Sequence, residues 1–117
     1  MVDELVLKTL IAVGLKQGDA IVYLYLLRTG PKKVRDITQT LGVNRRVVYR
    51  SVKSLRQRGV VKASLDHPTI FSALPLDSVL ELFAQAKVEQ SMVLQKKREE
   101  ILSSWRSMTN TKSTGDL

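Results

Sequence analysis

Apolar residues recur along this chain at helical spacing, with one short stretch of strand-like residues in the middle. Leu5, Leu7, Leu10, Ile11 and Val13 give a first helix, over 5–13, with a broad apolar face that ends at Gly14. A second helix runs from about Gln17 to Arg28, with Ala20, Tyr23, Leu24 and Leu27 spaced i, i+3, i+4, i+7. Gly30-Pro31 stops it, since glycine accepts the backbone past a helix end and proline cannot continue one. A short third helix over 33–40 buries Val34, Ile37 and Leu41, and Gly42 makes a tight turn. Asn44 then caps a fourth helix, Arg45 to Arg58, that buries Val48, Val52 and Leu55 and closes at Gly59.

The period then changes. Val60 to Leu65 and Thr69 to Leu74 are β-prone runs separated by Asp66-His67-Pro68, which predicts a hairpin. After Pro75 a long helix starts near Leu76 and runs to about 108, with a near-heptad seam interrupted by Lys87, Gln90 and Lys97. The remaining residues, 109–117, are rich in Ser, Thr and Gly and are expected to form a flexible tail. The expected architecture is mainly α with a small β-hairpin. A winged helix-turn-helix covers 1–75, and a long C-terminal helix for dimerisation covers 76–108.

Composition narrows the class. With 117 residues, 44% hydrophobic and 26% charged, the chain suits one globular domain and one extended element. The longest apolar run, Ala20 to Leu27, is far shorter than the ~20 residues that span a bilayer, and Asp3 and Glu4 precede the first apolar stretch where a secretory signal is basic. No membrane partner and a cytoplasmic, nucleoid-associated location are the expectation. Cysteine is absent, so no disulfide or thiolate metal site is available.

Charge changes the picture most. The net charge is +8, yet residues 32–62 hold ten basic side chains against Asp36 alone, and the rest of the chain is close to neutral. Such clustering is the footprint of a polyanionic partner, here double-stranded DNA. On the fourth helix Arg46, Tyr49, Arg50 and Lys53 fall at i, i+3, i+4, i+7 and share one face, beside Arg45. Arginine presents a planar fork to guanine or phosphate, and lysine a point charge to phosphate. Tyr49 is open to two readings, contact with DNA or cover for the edge of the core. The candidate DNA contacts are Lys32, Lys33, Arg35, Asn44, Arg45, Arg46, Tyr49, Arg50, Lys53 and Lys62, with His67 and Thr69 from the wing.

These residues carry a resemblance. The run Gly30-Pro31 through Asp36-Ile37, then Leu41-Gly42-Val43 through Arg45 to Tyr49, Ser54-Leu55 and Gly59-Val60-Val61, resembles the TrmB-type winged-helix regulators of archaea. The segments Ala20 to Leu27 and Pro68 to Pro75 fit the same pattern, and the similarity covers roughly residues 10 to 87. The resemblance implies a transcription factor whose fourth helix reads operator DNA. It also implies Ser or Thr caps on the second and third helices, where this chain has Lys16 and Lys33 followed by Asp19 and Asp36, so weaker caps are expected. At the position where the family often carries a basic wing residue, this chain has Ile70. Regulators of this type often continue into a sugar-binding domain; this chain is too short to hold one, so no small-molecule effector is expected.

Catalysis is not expected. Ser64, Asp66 and His67 lie on a wing tip, where side chains are too exposed for a buried, oriented constellation. His67 is the sole histidine, so no metal or other cofactor is expected. On the long helix, Leu80, Phe83, Leu94, Ile101 and Trp105 are the expected homodimer contacts. Three functional readings follow: a dimeric sequence-specific regulator first, then an architectural DNA-binding protein with little base preference. A winged helix used for protein interaction comes last, because seven basic residues and no acid lie between Asn44 and Lys62.

Overall fold

The computed structural model describes residues 2–116, with side chains described over 4–109. Helix α1 spans Val2–Ala12 and α2 spans Gln17–Thr29. At Gly30, φ is 90° and the N–H donates to the Leu26 carbonyl at 2.9 Å, ending α2. A two-residue strand β1, Lys32–Lys33, leads directly into α3, Val34–Leu41. Gly42 then turns the chain in the left-handed region, φ 64°, where a β-carbon is disfavoured. Helix α4, Arg45–Gln57, opens on Asn44, whose Oδ1 accepts from the Arg46 N–H at 2.7 Å as the sequence predicts. Strands β2, Val61–Ala63, and β3, Ile70–Ala73, follow, and α5 runs Leu76–Asp116. The tail expected at 109–117 lies, apart from Thr109, outside the residues whose side chains are described.

The expected hairpin is part of a larger sheet. Its strand order is β1-β3-β2, all antiparallel, with Lys33 opposite Ile70, Lys32 opposite Phe71 and Lys62 opposite Ser72. Two residues carry no readable period, so β1 exists only through its tertiary pairing with β3. Ser64 closes the wing loop twice. Its N–H donates to the Ile70 carbonyl and its Oγ accepts from the Ile70 N–H, both at 2.9 Å.

Residues 1–80 form one unit with its own core, built on Leu10, Ala20, Tyr23, Leu26, Ile37, Val48, Leu55 and Val60. In α4 the buried positions Val48, Val52 and Leu55 match the sequence reading, and Ser51 joins them. In α2 the buried stripe is Ala20, Val22, Tyr23 and Leu26, whereas Leu24 and Leu27 are only half-buried. The cause is composition: Ala20 to Leu27 is apolar on every side, so spacing alone cannot fix the phase of the buried stripe. In α1, Leu10 is buried, but Leu5 and Ile11 are exposed.

Tyr23 is fully buried and donates its hydroxyl to the Leu74 carbonyl at 2.7 Å, fastening the end of the wing to α2. Burial first, and the Asp77 carboxylate second, push its phenol from 10 up to about 12. The fold therefore holds the neutral phenol. That stabilisation is complete below pH 10 and is lost as pH rises through about 12. Tyr23→Phe is expected to cost about 1 kcal/mol at neutral pH. In urea denaturation series it should also lose less stability than the parent between pH 10 and 12.

The second unit begins at Glu81 and is the continuation of α5. Phe83 is buried, while Val88, Met92, Val93, Leu94, Ile101, Trp105 and Met108 are exposed.

Candidate nucleic-acid interface

Helix α4 is two-sided because its apolar residues sit on one arc. With Val48, Ser51, Val52 and Leu55 turned into the core, the 100° step per residue places Arg46, Arg50 and Lys53 on the opposite arc, all exposed. No acid interrupts the helix. Gln57 shares the outward arc at the last turn and is also exposed, a position that the search for charge passes over.

Tyr49 is 47% exposed, so it does more than cover the core edge. Its ring lies under the Arg45 guanidinium, 5.6 Å from centroid to carbon, and the Tyr49 hydroxyl accepts a long 3.5 Å bond from Arg45 Nη2. A cation over an aromatic face is attracted by the ring quadrupole, and the contact restricts the rotamers open to Arg45. Asn44, Arg45, Arg46 and Tyr49 together rim a shallow hollow of about 490 Å³ at the start of α4.

Two further hollows flank α4. The first, about 620 Å³, lies between the start of α3, α4 and the wing, and brings together Lys33, Arg35, Arg45, Tyr49, His67 and Thr69. Six of the candidate DNA contacts therefore converge on one cleft. Asp36 and Gln39 of α3 also line it, and sequence reading missed Gln39 because an exposed polar residue on a short helix carries no distinguishing mark. Lys32 and Lys62 lie on β1 and β2, outside this cleft. The second hollow, about 250 Å³, lies between the start of α2 and α4 and is lined by Lys16, Gly18, Asp19, Val47, Arg50, Ser51 and Ser54. Lys16 was missed for a plain reason, since it lies sixteen residues before the basic window opens at Lys32.

The cations are unevenly shared between the elements. From Ala63 to Ala86 the chain has no lysine or arginine, so the lysines and arginines lining the hollows around α4 come from the start of α2, from α3, β1 and α4 itself, and the wing loop adds none. Among the described residues no three His, Asp or Glu side chains converge as a metal site would need, and no helix is long and apolar enough to cross a membrane.

Comparison with known proteins fits this geometry. Residues 10–77 match the family model described as the sugar-specific transcriptional regulator TrmB. The chain is 28% identical over 101 residues to the HTH-type sugar sensing transcriptional regulator TrmBL1 of Pyrococcus furiosus. That match takes in 86% of this chain but 30% of the relative, so the chain spans less than a third of that protein's length. It is 27% identical over 94 residues to an uncharacterized protein of Methanocaldococcus jannaschii, covering 75% of this chain and 71% of that one. Among solved structures, TrmBL2, described as an archaeal chromatin protein with a novel mode of DNA binding, superposes with a TM-score of 0.73 at 21% identity. That superposition covers 87% of this chain and 41% of TrmBL2, a likeness of fold. With α4 edged by arginines, a wing beside it and a family match over more than half its length, the chain belongs to the TrmB family of transcriptional regulators and carries its winged helix-turn-helix DNA-binding domain.

Proposed function

We infer that the protein is a dimeric, sequence-specific regulator of transcription that places α4 in the major groove with the wing alongside. The observation that carries this reading is the exposed row Arg46, Arg50 and Lys53, set opposite the buried Val48, Val52 and Leu55 of the same helix. B-DNA's major groove is about 12 Å wide and admits one helix, whose side chains reach base edges. Arg46 and Arg50 carry base contact, Lys53 and Lys62 phosphate contact, and the first cleft accommodates the sugar–phosphate backbone between α4 and the wing. The likeness to a chromatin protein supports a second reading, in which the same surface binds DNA with little base preference.

Selection of binding sites from random duplexes with the purified protein separates these readings. A sharp motif is expected, and for a dimer it is a palindrome with half-sites about 34–36 Å apart or a multiple of that. Tight binding with a flat sequence profile moves the assignment to an architectural role. Absence of binding overturns both. Affinity is also expected to fall with salt by about 0.9 in log K per log salt for each phosphate neutralised. Lys53→Gln and Lys62→Gln should each flatten that slope by roughly one contact per bound protomer, read from anisotropy titrations at several salt concentrations.

A further inference from the structure

Lys16 and Lys33 stand at the N-cap positions of α2 and α3, and neither side chain makes a capping bond. N-caps favour Ser, Thr, Asp and Asn, whose short side-chain oxygens accept from a first-turn N–H. A lysine ammonium offers no acceptor and adds positive charge at the positive end of the helix dipole. Both positions thus hold a residue that costs local stability, and such violations concentrate where a site requires them.

The structure shows what the two lysines share. Lys33 lines the cleft on the wing side of α4, with Arg35 and Arg45. Lys16 lines the hollow on the other side, with Arg50. Both are exposed, and among the described residues neither side chain has an ion-pair or hydrogen-bond partner. Each is followed three residues on by an acid in the first turn, Asp19 or Asp36, and Asp19 is itself 7% exposed. We propose that Lys16 and Lys33 are paired phosphate contacts that grip the two DNA backbones on opposite sides of α4.

The proposal rests on α4 entering the major groove. A helix with its side chains is about 10–12 Å across and fills a groove about 12 Å wide, so a phosphate backbone runs along each flank of the inserted helix. On the wing side the loop of the hairpin and strand β3 cannot supply a lysine or arginine, because none occurs from Ala63 to Ala86, and Lys62 of β2 lies outside the cleft. The sheet register supplies one instead: Lys33 of β1 pairs directly with Ile70 of β3, so a charge sits beside the wing strand without belonging to the wing. The ammonium groups make the contacts proposed here; the backbone N–H groups behind them are not required.

Full-length Lys16→Ser and Lys33→Ser test this with two readouts that move in opposite directions. Serine restores a capping oxygen, so the urea midpoint is expected to rise. Against a labelled random-sequence duplex of about 30 base pairs, each variant should flatten the salt slope by about 0.9 per bound protomer and bind about eightfold more weakly per protomer at about 0.1 M salt, the factor such a slope gives per decade. Lys→Arg at either position should keep the parent slope, and Lys→Gln should flatten it with a smaller gain in stability, since it removes the charge without supplying a good cap. An unchanged slope in either serine variant overturns the paired grip. Arg46→Ala checks the underlying reading separately. Lost selectivity there alongside unchanged slopes in the serine variants removes the grip and leaves α4 as the recognition element, whereas unchanged binding in Arg46→Ala removes that reading itself.

Discussion

Alanine at Arg46 or at Arg50 is expected to weaken binding to a selected duplex by about 1–3 kcal/mol each. Both side chains project from the arc of α4 opposite the core, one turn apart. A guanidinium that donates two bonds to guanine O6 and N7 loses both when truncated, and the base acceptors are left unpaired in a dehydrated groove. The fold should be unaffected, since neither residue is buried and alanine is a better helix former than arginine at a solvent-facing position. The measurement is a pair of anisotropy titrations, one on the selected duplex and one on a duplex changed at a single base pair, with a thermal melt as the control. A loss confined to the selected duplex marks a base contact, and an equal loss on both marks a phosphate contact. Parent-like affinity in both variants would show that α4 is not the element that reads sequence.

The elements that sequence resolved are those whose pattern is complete within a short window. Helix α4 was legible at both ends and on both faces, because Asn44 caps it, Gly59 follows it, and its apolar and basic residues fall on separate arcs. The phase of α2 was not legible. An unbroken apolar run from Ala20 to Leu27 fits several buried stripes, and only packing selects the one centred on Tyr23 and Leu26. Strand β1 was invisible for the opposite reason, two lysines having no pattern until β3 pairs with them across nearly forty residues of chain. The candidate site shows the same division. Its outward row on α4 follows from spacing alone, but the cleft joins residues as far apart in sequence as Lys33 and Thr69, and the other flank brings in Lys16 from a stretch with no excess of charge. The missing caps at Lys16 and Lys33 could be read from residue type; what they gain in exchange could be read only once both were placed beside α4.

At micromolar concentration the full chain is expected to be a dimer, and a variant ending after Lys87 a monomer. One winged helix touches only a few base pairs, which gives little discrimination against the competing sites of a genome, and joining two makes the second half-site encounter intramolecular. On α5 the positions 80, 83, 87, 90, 94, 97, 101, 105 and 108 lie along one face. Phe83 is already buried, but Leu94, Ile101, Trp105 and Met108 are each more than half exposed and Leu80 is 38% exposed, a row that water hydrates at a cost. Burying one large apolar side chain contributes about 1.5–3 kcal/mol, so a few such pairs outweigh the polar positions Lys87, Gln90 and Lys97 on the same face. Residues 1–80 hold a core of their own, so the shortened variant should stay folded while its affinity for a palindromic duplex drops about a hundredfold or more. Ile101→Asp in the full chain should act the same way, by placing a charge on the apolar seam. Sedimentation equilibrium reads the mass directly. Trp105, the sole tryptophan, adds a local report: its emission should shift to the blue with concentration in the parent and stay red in Ile101→Asp. A parent that remains monomeric would sink the dimer. A shortened variant that stays dimeric would move the interface to α1, where Leu5 and Ile11 are also exposed.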